Sequence, residues 1–135
     1  MSLWPPSRGA PAARAADVRG ADRAGRELVD AIGVDAQALN SLAWKLLTKE
    51  PFAGKLDPLA LYAGEAMAAD PDWRTYWRLD TLAMACFRNG RHDDAIRLQR
   101  EATDSADPAS RERYSARLAE YAAALAMRER PSAGR

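Results

Sequence analysis

One cysteine and one histidine occur in the chain, Cys86 and His92. Their closeness in sequence raises a thiol–imidazole pair, in which the imidazole would take the proton of the nucleophile. The neighbouring residues point to packing instead. Cys86 falls on an apolar stripe with Leu79, Leu82, Ala83 and Phe87, and a cysteine there behaves as a small hydrophobe. His92 follows the turn at Asn89-Gly90, and a packing role is expected for it as well. A single histidine and a single cysteine assemble no nitrogen–sulfur metal cluster within one chain. Asp93-Asp94 opens the next helix, where negative charge complements the unpaired N–H groups. Asn89-Gly90-Arg91 reads as a turn and not as a phosphate loop. No catalytic constellation, metal-ligand set or cofactor site is expected.

The elements that position these residues follow from the periodicity. Leu79, Leu82, Ala83, Cys86 and Phe87 occupy i, i+3, i+4, i+7 and i+8 of an amphipathic helix. Gly90 ends it, because glycine takes the left-handed C′ conformation without steric cost. Ala95, Ile96, Leu98 and Ala102 resume helical spacing at once, so two helices fold back on each other. Small residues at Ala83, Ala95 and Ala102 allow close approach. Upstream, a first helix is expected over about 21–32, with Ala24, Leu28, Val29 and Ile32 on one face and Gly33 as its stop. Asp35 suits the N-cap of the next helix, which carries Leu39, Leu42, Ala43, Leu46 and Leu47. A last helix from Pro108 to about Met127 places Tyr114, Leu118, Tyr121, Ala122 and Leu125 on one face.

The chain repeats itself. The stripe from Leu39 to Leu47 recurs 40 residues later as Leu79 to Phe87, and Leu59, Ala63 and Ala66 recur 36 residues later as Ala95, Gln99 and Ala102. The difference predicts four extra residues in the loop over 49–57, which holds Pro51 and Gly54. Asp-Pro pairs at Asp57-Pro58, Asp70-Pro71 and Asp107-Pro108 read as helix starts, aspartate capping and proline taking the first helical position. Paired helices with a period near 35–40 residues mark an α-solenoid.

These residues resemble the tetratricopeptide repeat. Leu82-Ala83, Gly90, Ala95 and Ala102 match its large–small pair, turn glycine and close-packing small residues, and Leu42-Ala43, Ala63 and Ala66 match likewise. Asn40-x-Leu42-Ala43-Trp44 and Leu79-Asp80-Thr81-Leu82-Ala83 look like a bacterial subtype. The resemblance spans roughly 35–107. It departs at Cys86 and Leu46, which stand for the usual aromatic, and at Gly64, which loosens the third helix. The expected fold is all-α: a short solenoid of two such hairpins over 20–129, flanked by an N-terminal helix and a C-terminal capping helix. Flexible tails are expected at 1–19 and 130–135.

The resemblance implies binding of a peptide or partner helix on a concave face built from first helices. That face is expected to carry Asn40, Trp44 and Leu47 from one copy and Trp77, Asp80, Met84 and Arg88 from the other. Tryptophan and arginine often dominate interface energy, but Trp44 and Trp77 equally suit the ends of a short core. Asn40 and Asp80, in equivalent positions, read either as a polar pair fixing register or as a hydrogen-bonding site. The lysine–asparagine clamp that some relatives use for a terminal carboxylate is matched only at Asn40.

Length and charge bound the rest. The 135 residues suit one domain. Twenty basic and nineteen acidic residues leave a formal +1, and the interleaved charges disfavour nucleic acid. No apolar run reaches the ~18 residues of a membrane span, and the first residues lack a signal-peptide core. A cytoplasmic protein–protein interaction module, with no enzymatic role, is the leading expectation. The alternative is an assembly protein that homo-oligomerises through its solenoid ends.

Overall fold

The computed structural model describes the backbone of residues 16–129 and the side chains of residues 22–129. The described residues are all-helical: α1 (Ala16–Ile32), α2 (Ala36–Thr48), α3 (Asp57–Met67), α4 (Tyr76–Arg88), α5 (His92–Ser105) and α6 (Pro108–Glu129). Residues 1–15 and 130–135, most of the two expected tails, lie outside them. No helix among the described residues is long and apolar enough to cross a membrane. Two compact units divide the chain, the first ending at Arg74 and the second beginning at Thr75.

In the first unit α2 packs on α3, and α1 packs mainly on α3. Asp35 caps α2 as expected, its carboxylate accepting from the Ala38 N–H at 3.0 Å. Gly33 ends α1 with φ +73°, a conformation that costs glycine nothing. The buried face of α1 is not the expected one. Val29 is buried, Ile32 half-buried, but Ala24 and Leu28 are exposed. The face is centred on Gly25 because a Cβ there would stand 2.3 Å from Leu59 Cδ2. The missing side chain is what lets α1 lie so close to α3. Tyr62 fastens the pair, donating its hydroxyl proton to Asp30 at 2.7 Å while Arg26 lies over its ring. Trp73, after α3, is fully buried.

In the second unit α4 packs on α5 and α5 on α6. Leu79, Leu82, Ala83 and Cys86 are all inaccessible, so Cys86 is a core residue as its place on the stripe predicts. Ala95 and Ala102 on α5 are equally buried, as the close helix contact requires. Gly90 turns the chain with φ +80°. Phe87, half-buried, stacks on Tyr121 of α6 at 4.4 Å. Asp107 caps α6 by accepting from the Ser110 N–H at 3.0 Å.

Three expectations about the joints need correction: Asp57 does not cap α3 but is its first residue, the cap position falling on Leu56. Asp70-Pro71 does not start a helix: α4 begins at Tyr76, and the Asp70 carboxylate closes a local turn on the Asp72 N–H at 3.0 Å. The loop difference is also larger than four. α3 and α5 begin 35 residues apart, and at that offset the buried sets coincide: Ala60 with Ala95, Ala63 with Leu98, Gly64 with Gln99, Met67 with Ala102. At the expected offset of 36, half-buried Ala66 would face fully buried Ala102.

Candidate partner-binding surface

The second unit carries an aromatic and arginine patch where α4 begins. Trp77 is 41% exposed although it is among the largest apolar side chains. Tyr76 meets it edge-on at 5.0 Å and leans on Tyr114 of α6 at 6.0 Å. Arginines cover these rings: Arg78 over Trp77 at 5.9 Å, Arg113 and Arg117 over Tyr114 at 5.6 and 6.0 Å. Cation–π contacts of this kind hold a guanidinium plane against a ring. Arg88, at the other end of α4, is also exposed, and Met84 between them is half-buried.

Asp80 lies on the same helix but is not on the surface. It is 4% exposed, and its Oδ1 accepts from Gln99 Nε2 at 3.0 Å and from Arg117 at 2.5 Å. Gln99 Nε2 donates further to the Tyr114 carbonyl at 3.3 Å. One carboxylate thus ties α4 to α5 and α6. Burial works against the Arg117 charge, but its hydrogen bond and charge pairing with Asp80 outweigh that and strengthen its hold on the proton. Burial, with the Asp80 charge adding to it, pushes the Tyr121 phenol well up. The Tyr121 hydroxyl and Gln99 Oε1 are buried without hydrogen-bond partners. Asp80 is therefore an internal anchor, a correction to its expected place on a binding face.

The three sites expected in the first unit fare differently. Leu47 is fully buried and belongs to the core rather than to a contact surface. Asn40 is 9% exposed, with its Oδ1 unpartnered. Trp44 is half-buried, and its carbonyl accepts from the Thr48 hydroxyl at 2.8 Å.

The residues first considered for chemistry have packing and polar contacts of their own, and Cys86 lies in the core. His92 packs edge-on against Phe87 at 5.1 Å, and its Nδ1 lies 3.0 Å from the Gly90 carbonyl oxygen and 2.9 Å from Arg128. Asp94 pairs with Arg91 and Arg97. No group of three or more His, Cys, Asp or Glu among the described residues is arranged to hold a metal ion.

Sequence reasoning did not single out Tyr76, Arg78, Arg113 or Arg117. Tyr114 was placed on the inner face of α6, which is correct, but not beside Trp77. Arg117 lies 37 residues from Asp80, and no period links such a pair. Comparison with family models, with curated proteins and with solved structures gives no match.

Proposed function

We propose that this chain is a non-catalytic interaction module of tetratricopeptide type that docks a peptide or partner helix. The observation that carries the reading is Trp77, a large ring left 41% exposed beside Tyr76 and Arg78. Leaving such a ring in water forgoes roughly 1 kcal/mol or more of burial, and Trp, Tyr and Arg are the types that most often carry binding energy. The repeat reading is supported by the matching buried sets of α2 with α4 and of α3 with α5. Of the expected contact residues in the second unit, Trp77 and Arg88 are exposed and Met84 is half-buried, and Asp80 acts from within by tying α4 to α5 and α6. In the first unit, taken by itself, Trp44 is half-buried and Asn40 and Leu47 are buried.

The test is capture with the purified chain as bait, wild type beside Trp77→Ala/Arg88→Ala, read by mass spectrometry. A partner held by wild type and lost by the folded double variant supports docking at this face. Equal capture by both removes the face from consideration.

Self-assembly is the second reading, favoured by Leu28, Val34 and Met127, exposed at 52, 83 and 65%. Sedimentation decides it: a mass of one chain at all concentrations counts against assembly.

A further inference from the structure

We propose that His92 is a proton-operated latch on the last turn of α6, closed while its ring is neutral and opened when the ring takes up a proton. The latch is independent of partner docking. His92 opens α5 and is half-buried. Its Nδ1 lies 3.0 Å from the Gly90 carbonyl oxygen and 2.9 Å from Arg128 Nη1, which itself stands 3.5 Å from the same carbonyl. The carbonyl only accepts and the guanidinium only donates. One ring nitrogen cannot satisfy both.

The two contacts therefore belong to different protonation states. With its proton on Nε2, a neutral ring offers the Nδ1 lone pair to Arg128, and the end of α6 is held against the turn between α4 and α5. An imidazolium carries a proton on each nitrogen. Nδ1 then donates to the Gly90 carbonyl, takes that acceptor from Arg128 and sets a positive ring against the guanidinium. Histidine changes charge between about pH 5 and 8, so mild acid should release the arginine.

The helix ends that meet here carry Arg88 on α4, Asp93 and Asp94 on α5, and Arg128 and Glu129 on α6, with Arg91 in the turn. Asp94 is taken by Arg91 and Arg97. Of these groups Arg128 is the one that reaches a ring nitrogen. Phe87 of α4 meets the imidazole edge-on at 5.1 Å and stacks on Tyr121 of α6 at 4.4 Å, which keeps the ring seated when Arg128 leaves. The Tyr121 phenol is raised above its ordinary value and stays protonated throughout.

The chain has one histidine, so every imidazole signal belongs to His92. The experiment is nuclear magnetic resonance on the full chain as wild type, Arg128→Ala and His92→Phe, from about pH 8 to about pH 5. Circular dichroism first confirms that the variants retain the wild-type helix content. Should His92→Phe lose its fold, Arg128→Ala, at an exposed helix end, carries the comparison alone. Imidazole nitrogen shifts give the tautomer, and α-carbon shifts over 124–129 give the helix content of the last turn. At high pH wild type should hold its ring proton on Nε2, and Arg128→Ala should move it towards Nδ1, where the Gly90 carbonyl accepts it. As pH falls, the ratio of closed to frayed last turn in wild type should drop about two- to fivefold, the range for one exposed charged contact. Both variants should keep one low ratio at every pH. A ring proton already on Nδ1 in wild type at high pH, or a tautomer indifferent to Arg128→Ala, overturns the latch. So does a last turn that responds to pH alike in wild type and the variants.

Discussion

Replacing Asp80 should cost far more than its single carboxylate suggests, because two other helices lean on it. In Asp80→Ala, Arg117 keeps its charge with a side chain only 18% exposed, and Gln99 Nε2 keeps only the Tyr114 carbonyl. Removing one member of a buried ion pair costs about 3–5 kcal/mol. The lower end applies, since Arg117 retains some water. Arg117→Ala should cost a similar amount, leaving Asp80 with Gln99 as its donor. The double variant removes both charges together, so its loss should fall about 2 kcal/mol short of the sum of the single losses. Asp80→Asn keeps an acceptor oxygen and should fall between wild type and Asp80→Ala. Urea unfolding followed by far-ultraviolet circular dichroism gives the free energies, and hydrogen exchange over peptides of α6 localises the loss to the second unit. Additivity of the single losses within about 0.5 kcal/mol would refute the coupling argument. So would unchanged exchange in α6.

The two tryptophans that bracket the unit boundary in sequence should part company. Trp73→Ala empties a fully buried site and should cost about 3–5 kcal/mol in urea unfolding, whereas Trp77→Ala should cost under about 1 kcal/mol, as expected of an exposed residue. Ala83→Trp, at a position with no accessible surface, should cost about 1–3 kcal/mol or more by overpacking α4 against α5; an unchanged melting temperature would contradict the packing. Tyr121→Phe removes a buried hydroxyl that has no partner and should be neutral or stabilising by up to about 1 kcal/mol. It should also resist alkali. The folded-state pKa of Tyr121 is raised, so its contribution is fully present below the ordinary phenol value near 10 and is lost as pH rises beyond it. Circular dichroism across that range should show later unfolding in Tyr121→Phe.

Much of this fold is legible in the residues, and the reasons are local. Gly33 and Gly90 stop helices because only a positive φ fits there, and Asp35 and Asp107 cap because their carboxylates reach backbone N–H groups three residues on. Leu79 to Cys86 identify the core of α4 by spacing alone. Asp70-Pro71 misled because the same dipeptide serves a turn as well as a helix start. The α1 face was read from apolar side chains, yet its contact is centred on Gly25, where hydrophobicity carries no signal. The candidate surface was half visible. Trp77 and Arg88 are exposed as that expectation requires, whereas Asp80 and Leu47 looked equivalent on a helical wheel and are buried. The fate of Asp80 depends on Gln99 and Arg117, brought together only by folding.

The packing order within each unit bears on how the chain reaches its structure. In the second unit each packed helix meets its immediate neighbour in sequence, and in the first only the α1–α3 contact skips an element. Contacts so close along the chain require little loop closure before they are rewarded, the regime in which helical domains fold in microseconds to milliseconds. The first unit ends at Arg74, so every residue of its helix contacts is joined before the second unit is finished. A growing chain can bury Val29, Leu39 and Leu47 while Trp77 is still inside the ribosome, which shortens the time that its apolar stripes spend uncovered.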